Sequence, residues 1–128
     1  MTIRAIIVDD EPLARQYLRE LLTEHAQVQV VAECKNGFDA VKAVGEQDVD
    51  LMFLDIQMPK LDGFEVLELL DRPVPTIFVT AYDEYAVRAF DAHAVDYLLK
   101  PFSAERLAEA LSRAQHRVPP PDIRGSAR

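Results

Sequence analysis

Short apolar blocks recur along the chain in two rhythms. Ala5-Ile6-Ile7-Val8, Val28-Gln29-Val30-Val31-Ala32, Leu51-Met52-Phe53-Leu54 and Thr76-Ile77-Phe78-Val79 are rich in β-branched or large apolar residues, and Ala94-Val95-Asp96-Tyr97-Leu98-Leu99 is a less regular fifth. Most are near-continuous rather than alternating. That is the pattern of strands covered on both faces, and it predicts a parallel sheet between layers of helix. Between the blocks, apolar residues fall at helical spacing. Leu13, Ala14, Tyr17, Leu18, Leu21 and Leu22 form one stripe, with Pro12 suited to a first turn. Phe38, Val41 and Val44 mark a second helix, and Phe64, Leu67 and Leu70 a third that Arg72-Pro73 stops. Tyr85, Ala86, Ala89 and Phe90 suggest a fourth, and Leu107, Ala110, Leu111 and Ala114 a fifth, with Ser103 at its N-cap.

The order is β-α five times over. Alternating units with short connections predict right-handed crossovers and a doubly wound α/β sheet. After Arg117 the chain reads Val118-Pro119-Pro120-Pro121-Asp122 and then Ile123 to Arg128. A triple proline cannot continue a helix. The expected organisation is one folded domain over 1–117 and a proline-rich linker or tail over 118–128.

Length and composition add bounds. The 128 residues suffice for one domain with a real core and are too few for two. Lys+Arg 14 against Asp+Glu 22 leaves a net charge of −8, which argues against these residues gripping nucleic acid or an anionic membrane. The lone Cys34 excludes an intrachain disulfide and a cysteine metal site, and reads as a small filler near a strand end. No apolar run approaches the roughly 20 residues that span a bilayer. The start carries no signal-peptide pattern, so cytoplasm is the expected location. His25, His93 and His116 lack metal-ligand spacing and are expected at the surface or satisfied.

In open α/β sheets ligands bind beyond the carboxyl ends of the strands. Asp9, Asp10 and Glu11 follow the first strand, Asp55 the third, Thr80 the fourth and Lys100 the fifth. If the first and third strands are neighbours, Asp9, Asp10 and Asp55 converge on one crevice, where three carboxylates repel. A hard divalent cation relieves that repulsion, and an all-oxygen donor set suits Mg²⁺ better than zinc. Lys100 adds a positive charge on the same rim, and Thr80 a small hydroxyl. Such a set can neutralise phosphoryl oxygens while Asp55 attacks phosphorus and becomes an acyl phosphate.

Each piece has an ordinary reading of its own. Acids before a helix commonly cap it and complement its dipole, while a lone aspartate, threonine or lysine at a strand end is unremarkable. The four strand ends taken together are much harder to obtain by chance. A phosphatase of the haloacid-dehalogenase type would want Asp-x-Asp after the first strand and a cap domain. A flavodoxin-like nucleotide module would want a glycine-rich phosphate loop there, and Gly37, Gly45, Gly63 and Gly125 all lie elsewhere. A degenerate docking module would have lost some of the five site residues.

Ile7-Val8-Asp9-Asp10-Glu11-Pro12, Phe53-Leu54-Asp55-Ile56-Gln57-Met58-Pro59 with Asp62-Gly63, Val79-Thr80-Ala81 and Asp96-Tyr97-Leu98-Leu99-Lys100-Pro101-Phe102 resemble the receiver domain of two-component response regulators over about 3–116. The resemblance implies a five-stranded sheet of order 2-1-3-4-5 flanked by five helices, the flavodoxin-like receiver fold. It implies that Asp55 is the phospho-acceptor and that Asp9, Asp10 and Asp55 hold Mg²⁺ with the backbone carbonyl of Gln57. Thr80 would be the switch hydroxyl, Lys100 the phosphate-pairing lysine, Tyr97 the aromatic switch residue, and the Lys100–Pro101 peptide cis. Gln57 and Tyr82 match positions that tune dephosphorylation, and bulky Tyr82 is expected to hinder water and lengthen the signal. The phosphoryl group would come from a sensor histidine kinase. The domain would be a switch that promotes its own phosphorylation and slow dephosphorylation, not an enzyme acting on an outside substrate.

The stretch Thr80-Ala81-Tyr82-Asp83-Glu84-Tyr85-Ala86-Val87-Arg88-Ala89-Phe90, with Asp96 to Phe102, resembles the subgroup whose output is a LytTR-type DNA-binding domain. That domain is missing here. The proline stretch fits an interdomain linker, so a receiver cut from a longer regulator is favoured over a stand-alone one. The fourth helix, fifth strand and fifth helix would form a homodimer face. Asp96 and Arg113 fall where such dimers place a cross-subunit ion pair, although the ordinary reading, a solvated surface pair, is favoured. Helical spacing leaves Tyr85 and Phe90 open between core and interface.

Overall fold

The computed structural model describes residues 2–118. The elements follow the expected order: β1 Ile3–Val8, α1 Pro12–Leu22, β2 Val28–Cys34, α2 Gly37–Glu46, β3 Leu51–Leu54, α3 Gly63–Leu69, β4 Thr76–Thr80, α4 Ala86–Asp91, β5 Asp96–Leu99 and α5 Ala104–Gln115. All strand pairings are parallel and the sheet order is β2-β1-β3-β4-β5. Among the described residues no helix is long and apolar enough to cross a membrane.

Alternation within the strands divides the core into two layers. Ile3, Ala5 and Ile7 of β1, Leu51 and Phe53 of β3 and Ile77 of β4 pack beneath Leu18 and Leu22 of α1 and Leu107, Ala110 and Leu111 of α5. On the other face Ile6, Val8, Met52, Leu54 and Phe78 meet Ala40 and Val44 of α2, Phe64 and Val66 of α3 and Ala89 of α4. Covered on both faces, β3 is therefore apolar at every position, β1 at all but the half-buried Arg4, and β4 between its terminal threonines. Edge strand β2 departs from the expected double cover: its residues are mostly half-buried, since only β1 flanks it.

The helix starts show which sequence signals operated. Pro12 opens α1. Asn36 caps α2 by accepting from Asp39 N, and Ser103 caps α5 by accepting from Arg106 N. Asp62 and Glu65 form a reciprocal capping box on α3. Helix α3 ends at Leu69, short of the expected Arg72-Pro73 stop, because Leu70 is already extended at φ −70°, ψ 139°. Arg72 instead reaches back to the carbonyls of Val44, Gln47 and Val49. Val118 is buried among the α5-side core residues. The proline run and the remainder of the expected linker, 119–128, lie outside the described residues.

Cys34 is buried, and burial together with the Asp39 charge pushes its thiol up to about 11. It is a packing residue, inert as a nucleophile. His93 and His116 are exposed and His25 is half-buried.

Candidate functional site

Parallel register assembles the polar strand ends. Val8 of β1 lies opposite Leu54 of β3, so the next residues, Asp9 and Asp55, emerge side by side, with Asp55 N donating to Val8 O at 3.0 Å. Leu54 lies opposite Phe78 of β4, and Thr80 opposite Leu99 of β5, which brings Thr80 and Lys100 to the same edge. Lys100 N donates to Thr80 O at 2.8 Å. Four strand ends thus converge on one crevice, as expected from the sequence.

Each of Asp9, Asp10, Glu11 and Asp55 offers a carboxylate oxygen, all within 4.8 Å of one another. Among the described residues this is the one group able to hold a metal ion. Its donors are hard oxygens without histidine or thiolate, which fits Mg²⁺. Asp9 and Asp55 are 4% and 5% exposed, so their charges are poorly solvated. The capping explanation of these acids fails on geometry. Glu11 occupies the N-cap of α1 without a side-chain cap bond, and Asp9 Oδ1 accepts from Glu11 N at 2.9 Å.

Lys100 Nζ organises the cluster, donating to Asp9 Oδ2 at 2.8 Å and to Glu11 Oε1 and Asp55 Oδ2 at 3.3 Å. Burial works against its charge, but the Asp9 hydrogen bond and the Asp55 and Asp9 charges prevail and push it up to about 12. Asp55 moves the other way for a carboxylate. Burial, reinforced by Asp9 and opposed by Lys100 and the Ile56 N–H, pushes it up to about 6. A carboxylate that costly to ionise is expected where a cation or a new covalent group will take up its charge.

The floor of the crevice requires Gly63. A Cβ there would meet Asp55 O at 2.6 Å, and Gly63 N donates to Ile56 O at 2.9 Å. The glycine lets the start of α3 close against the strand end that carries Asp55. The Lys100–Pro101 peptide is cis.

On the α4 side, buried Thr80 accepts from Tyr82 N at 3.4 Å. The Tyr97 hydroxyl donates to Tyr82 O, so the switch candidate on β5 contacts the loop after Thr80. Gln57 Nε2 donates to the hydroxyl of Tyr85 at 2.8 Å. Spacing alone leaves Tyr85 open between core and interface; here it is half-buried and partnered with a site residue. Phe90, in contrast, is 80% exposed.

Asp96 lies outside the crevice. Arg106 grips it with two bonds of 2.7 and 2.8 Å, and Arg113 adds one of 2.5 Å. Burial would raise the Asp96 carboxyl, but the Arg106 hydrogen bonds, helped by the Tyr97 N–H and Arg113, lower it. The expected Asp96–Arg113 pair therefore forms within one chain. Arg106, one turn into α5, is the larger partner.

A family model for the response regulator receiver domain matches residues 5–112. An uncharacterized response regulatory protein of Yersinia pestis is 52% identical over 113 residues, covering 87% of this chain and 48% of that protein. The transcriptional regulatory protein BtsR of Escherichia coli (strain K12) is 45% identical over 124 residues, 94% of this chain and 52% of BtsR. The chain spans about half the length of these curated relatives. Among solved structures, the response regulatory domain of protein mrkE from Klebsiella pneumoniae has a TM-score of 0.81 at 36% identity, covering 90% of this chain and 97% of that one. Response regulator TrrA from Thermotoga maritima, crystallised in complex with Mg²⁺-BeF, has a TM-score of 0.76 at 31% identity, covering 88% and 99%.

Proposed function

Since the chain belongs to the response regulator receiver domain family, we propose that it is a phosphorylation-dependent switch in which Asp55 accepts a phosphoryl group from the histidine of a sensor kinase. The observation that carries this reading is Asp55 itself: buried, raised to about 6, within 3.3 Å of Lys100 and grouped with Asp9, Asp10 and Glu11. An Asp55 carboxylate oxygen bonds to phosphorus as the bond from phosphorus to the kinase histidine nitrogen breaks. Lys100 Nζ, held by Asp9 and Asp55, is placed to pair with a phosphoryl oxygen on Asp55. The Thr80 hydroxyl donates to another, drawing in the loop that carries Tyr82. Asp9, Asp10, Asp55 and the Gln57 carbonyl would hold Mg²⁺, which supplies positive charge against the carboxylates and the phosphoryl oxygens.

The donor's docking face is proposed beside the crevice. Leu13, Ala14, Tyr17, Pro101 and Phe102 line an apolar groove that Lys100 shares, with Leu13 78% exposed. Exposed apolar surface bordering a reactive group suits a partner that must bring its phosphohistidine to Asp55.

The output is proposed to pass through α4, β5 and α5 as a phosphorylation-linked homodimer, with Val87, Phe90 and Leu99 exposed on that face. BtsR is named a transcriptional regulatory protein, and the matched region is half of it. This supports a DNA-binding output outside these residues, and the stretch from Thr80 to Phe90 favours the LytTR subgroup for it. A cytoplasmic location is proposed with it, in keeping with control by a sensor kinase.

Treatment with a small phosphodonor and Mg²⁺ tests the acceptor. Intact mass should show one added phosphoryl group on wild type and none on Asp55→Asn. An adduct that persists in the variant, or none on wild type, rules the assignment out.

A further inference from the structure

We propose that the Tyr85 hydroxyl is a positioning group for Gln57, committing its side-chain amide toward α4 and so slowing loss of the phosphoryl group from Asp55. The inference rests on Asp55 being the acceptor. Gln57 lies two residues past Asp55, and its side chain is exposed. A long unbranched side chain on a surface samples many rotamers, and fixing it costs entropy. Here it is fixed, by a 2.8 Å bond from Nε2 to the Tyr85 hydroxyl across 28 residues of sequence.

Tyr85 can serve as an anchor because it is itself immobilised. Its ring packs on Phe64 with centroids 6.2 Å apart and edge-on to Tyr82 at 6.3 Å and 78°. Phe64 in turn packs on Phe78 of β4 at 5.1 Å and carries the Arg88 guanidinium 4.1 Å over its face. The Tyr85 carbonyl accepts from Ala89 N at 2.9 Å, so the residue also forms the first turn of α4. One side chain thereby ties the loop after β3 to the helix after β4.

The chemistry affected is hydrolysis. A water oxygen bonds to phosphorus as the bond from phosphorus to the Asp55 carboxylate oxygen breaks; the carboxylate leaves, and the water proton ends on the released phosphate. A free Gln57 amide, with two N–H donors and a carbonyl acceptor, can orient that water. Engaged by Tyr85, its nitrogen is held toward α4. The acyl phosphate then persists until Tyr85 moves with its helix.

The test loads four proteins with acetyl phosphate and Mg²⁺: wild type, Tyr85→Phe, Gln57→Ala and the double variant. The donor is then removed and the adduct followed by intact mass. Phenylalanine keeps the ring contacts, and thermal unfolding checks the fold. Losing one hydrogen bond should speed loss of the adduct roughly three- to fivefold in Tyr85→Phe. In the Gln57→Ala background the same change should do nothing, which a general loosening of the loop would not reproduce. Unchanged or slower loss in Tyr85→Phe overturns the proposal, as does equal acceleration in both backgrounds. Absence of any adduct on wild type overturns the acceptor reading and this inference with it.

Discussion

At the scale of single residues, Asp55 carries a cost that metal or phosphoryl transfer can relieve. Its folded pKa of about 6 lies above the model-peptide 3.8, with burial the largest cause. Between those values the folded state binds the proton more tightly than the unfolded state does. The contribution is therefore full below about 4 and is lost as pH rises through about 6. Lys100 adds nothing in this window, because its raised pKa of about 12 acts only in strong base. The expected result is that Asp55→Asn in chelator gains stability over wild type as pH climbs from 4.5 to 7, by on the order of 2–3 kcal/mol. Urea unfolding of both proteins at each pH measures it, and Mg²⁺ should narrow the gap at pH 7. A difference independent of pH would show that Asp55 does not titrate in this range. Asp9, Asp55, Thr80 and Lys100 were legible in sequence because parallel strands deliver consecutive ends to one edge. Tyr85 and Arg106 were not, because their partners, Gln57 and Asp96, lie 28 and 10 residues away and only packing chooses them.

At the scale of elements, α1 shows how far an apolar stripe can be read. All six stripe residues share helical spacing, yet Leu18 and Leu22 are buried while Leu13 is 78% and Tyr17 43% exposed. The difference is position along the axis. The later turns lie over the sheet, whereas the first turn follows the acidic loop at the crevice. In the next turn Tyr17 meets Phe102 edge-on at 5.4 Å and donates to its carbonyl at 2.7 Å. Periodicity records which side of a helix is apolar; it does not record what covers that side. The two ends should respond differently to the same substitution. Leu18→Ala should cost about 2–4 kcal/mol in denaturant unfolding. Leu13→Ala should stay within about 0.5 kcal/mol yet slow phosphotransfer from the kinase, while acetyl phosphate labels Asp55 at the wild-type rate. Equal slowing with both donors would place the defect in the site and remove α1 from docking.

At the scale of the molecule, the two-layer packing leaves one face weakly committed. Helix α4 has six residues and buries only Ala89, with Val87 74% and Phe90 80% exposed. Spacing could not decide between core and interface for Phe90, since both put an apolar residue on a helix face. The net charge of −8 sets what such a face must do. Phosphorylation adds about −1.5 to −2 per copy, so two phosphorylated copies repel more than two unmodified ones. Their association must come from apolar contact rather than from overall charge. Asp96 offers little to a partner, because Arg106 and Arg113 of its own chain already saturate it. Phe90 is then the residue on which a phosphorylation-linked dimer should depend. Phe90→Glu should take up the phosphoryl group on Asp55 as wild type does and remain monomeric in sedimentation velocity under phosphodonor and Mg²⁺, where wild type shifts to a dimer. A dimer that survives Phe90→Glu would move the interface off α4, and a wild type that stays monomeric when fully phosphorylated would remove the dimer from the output.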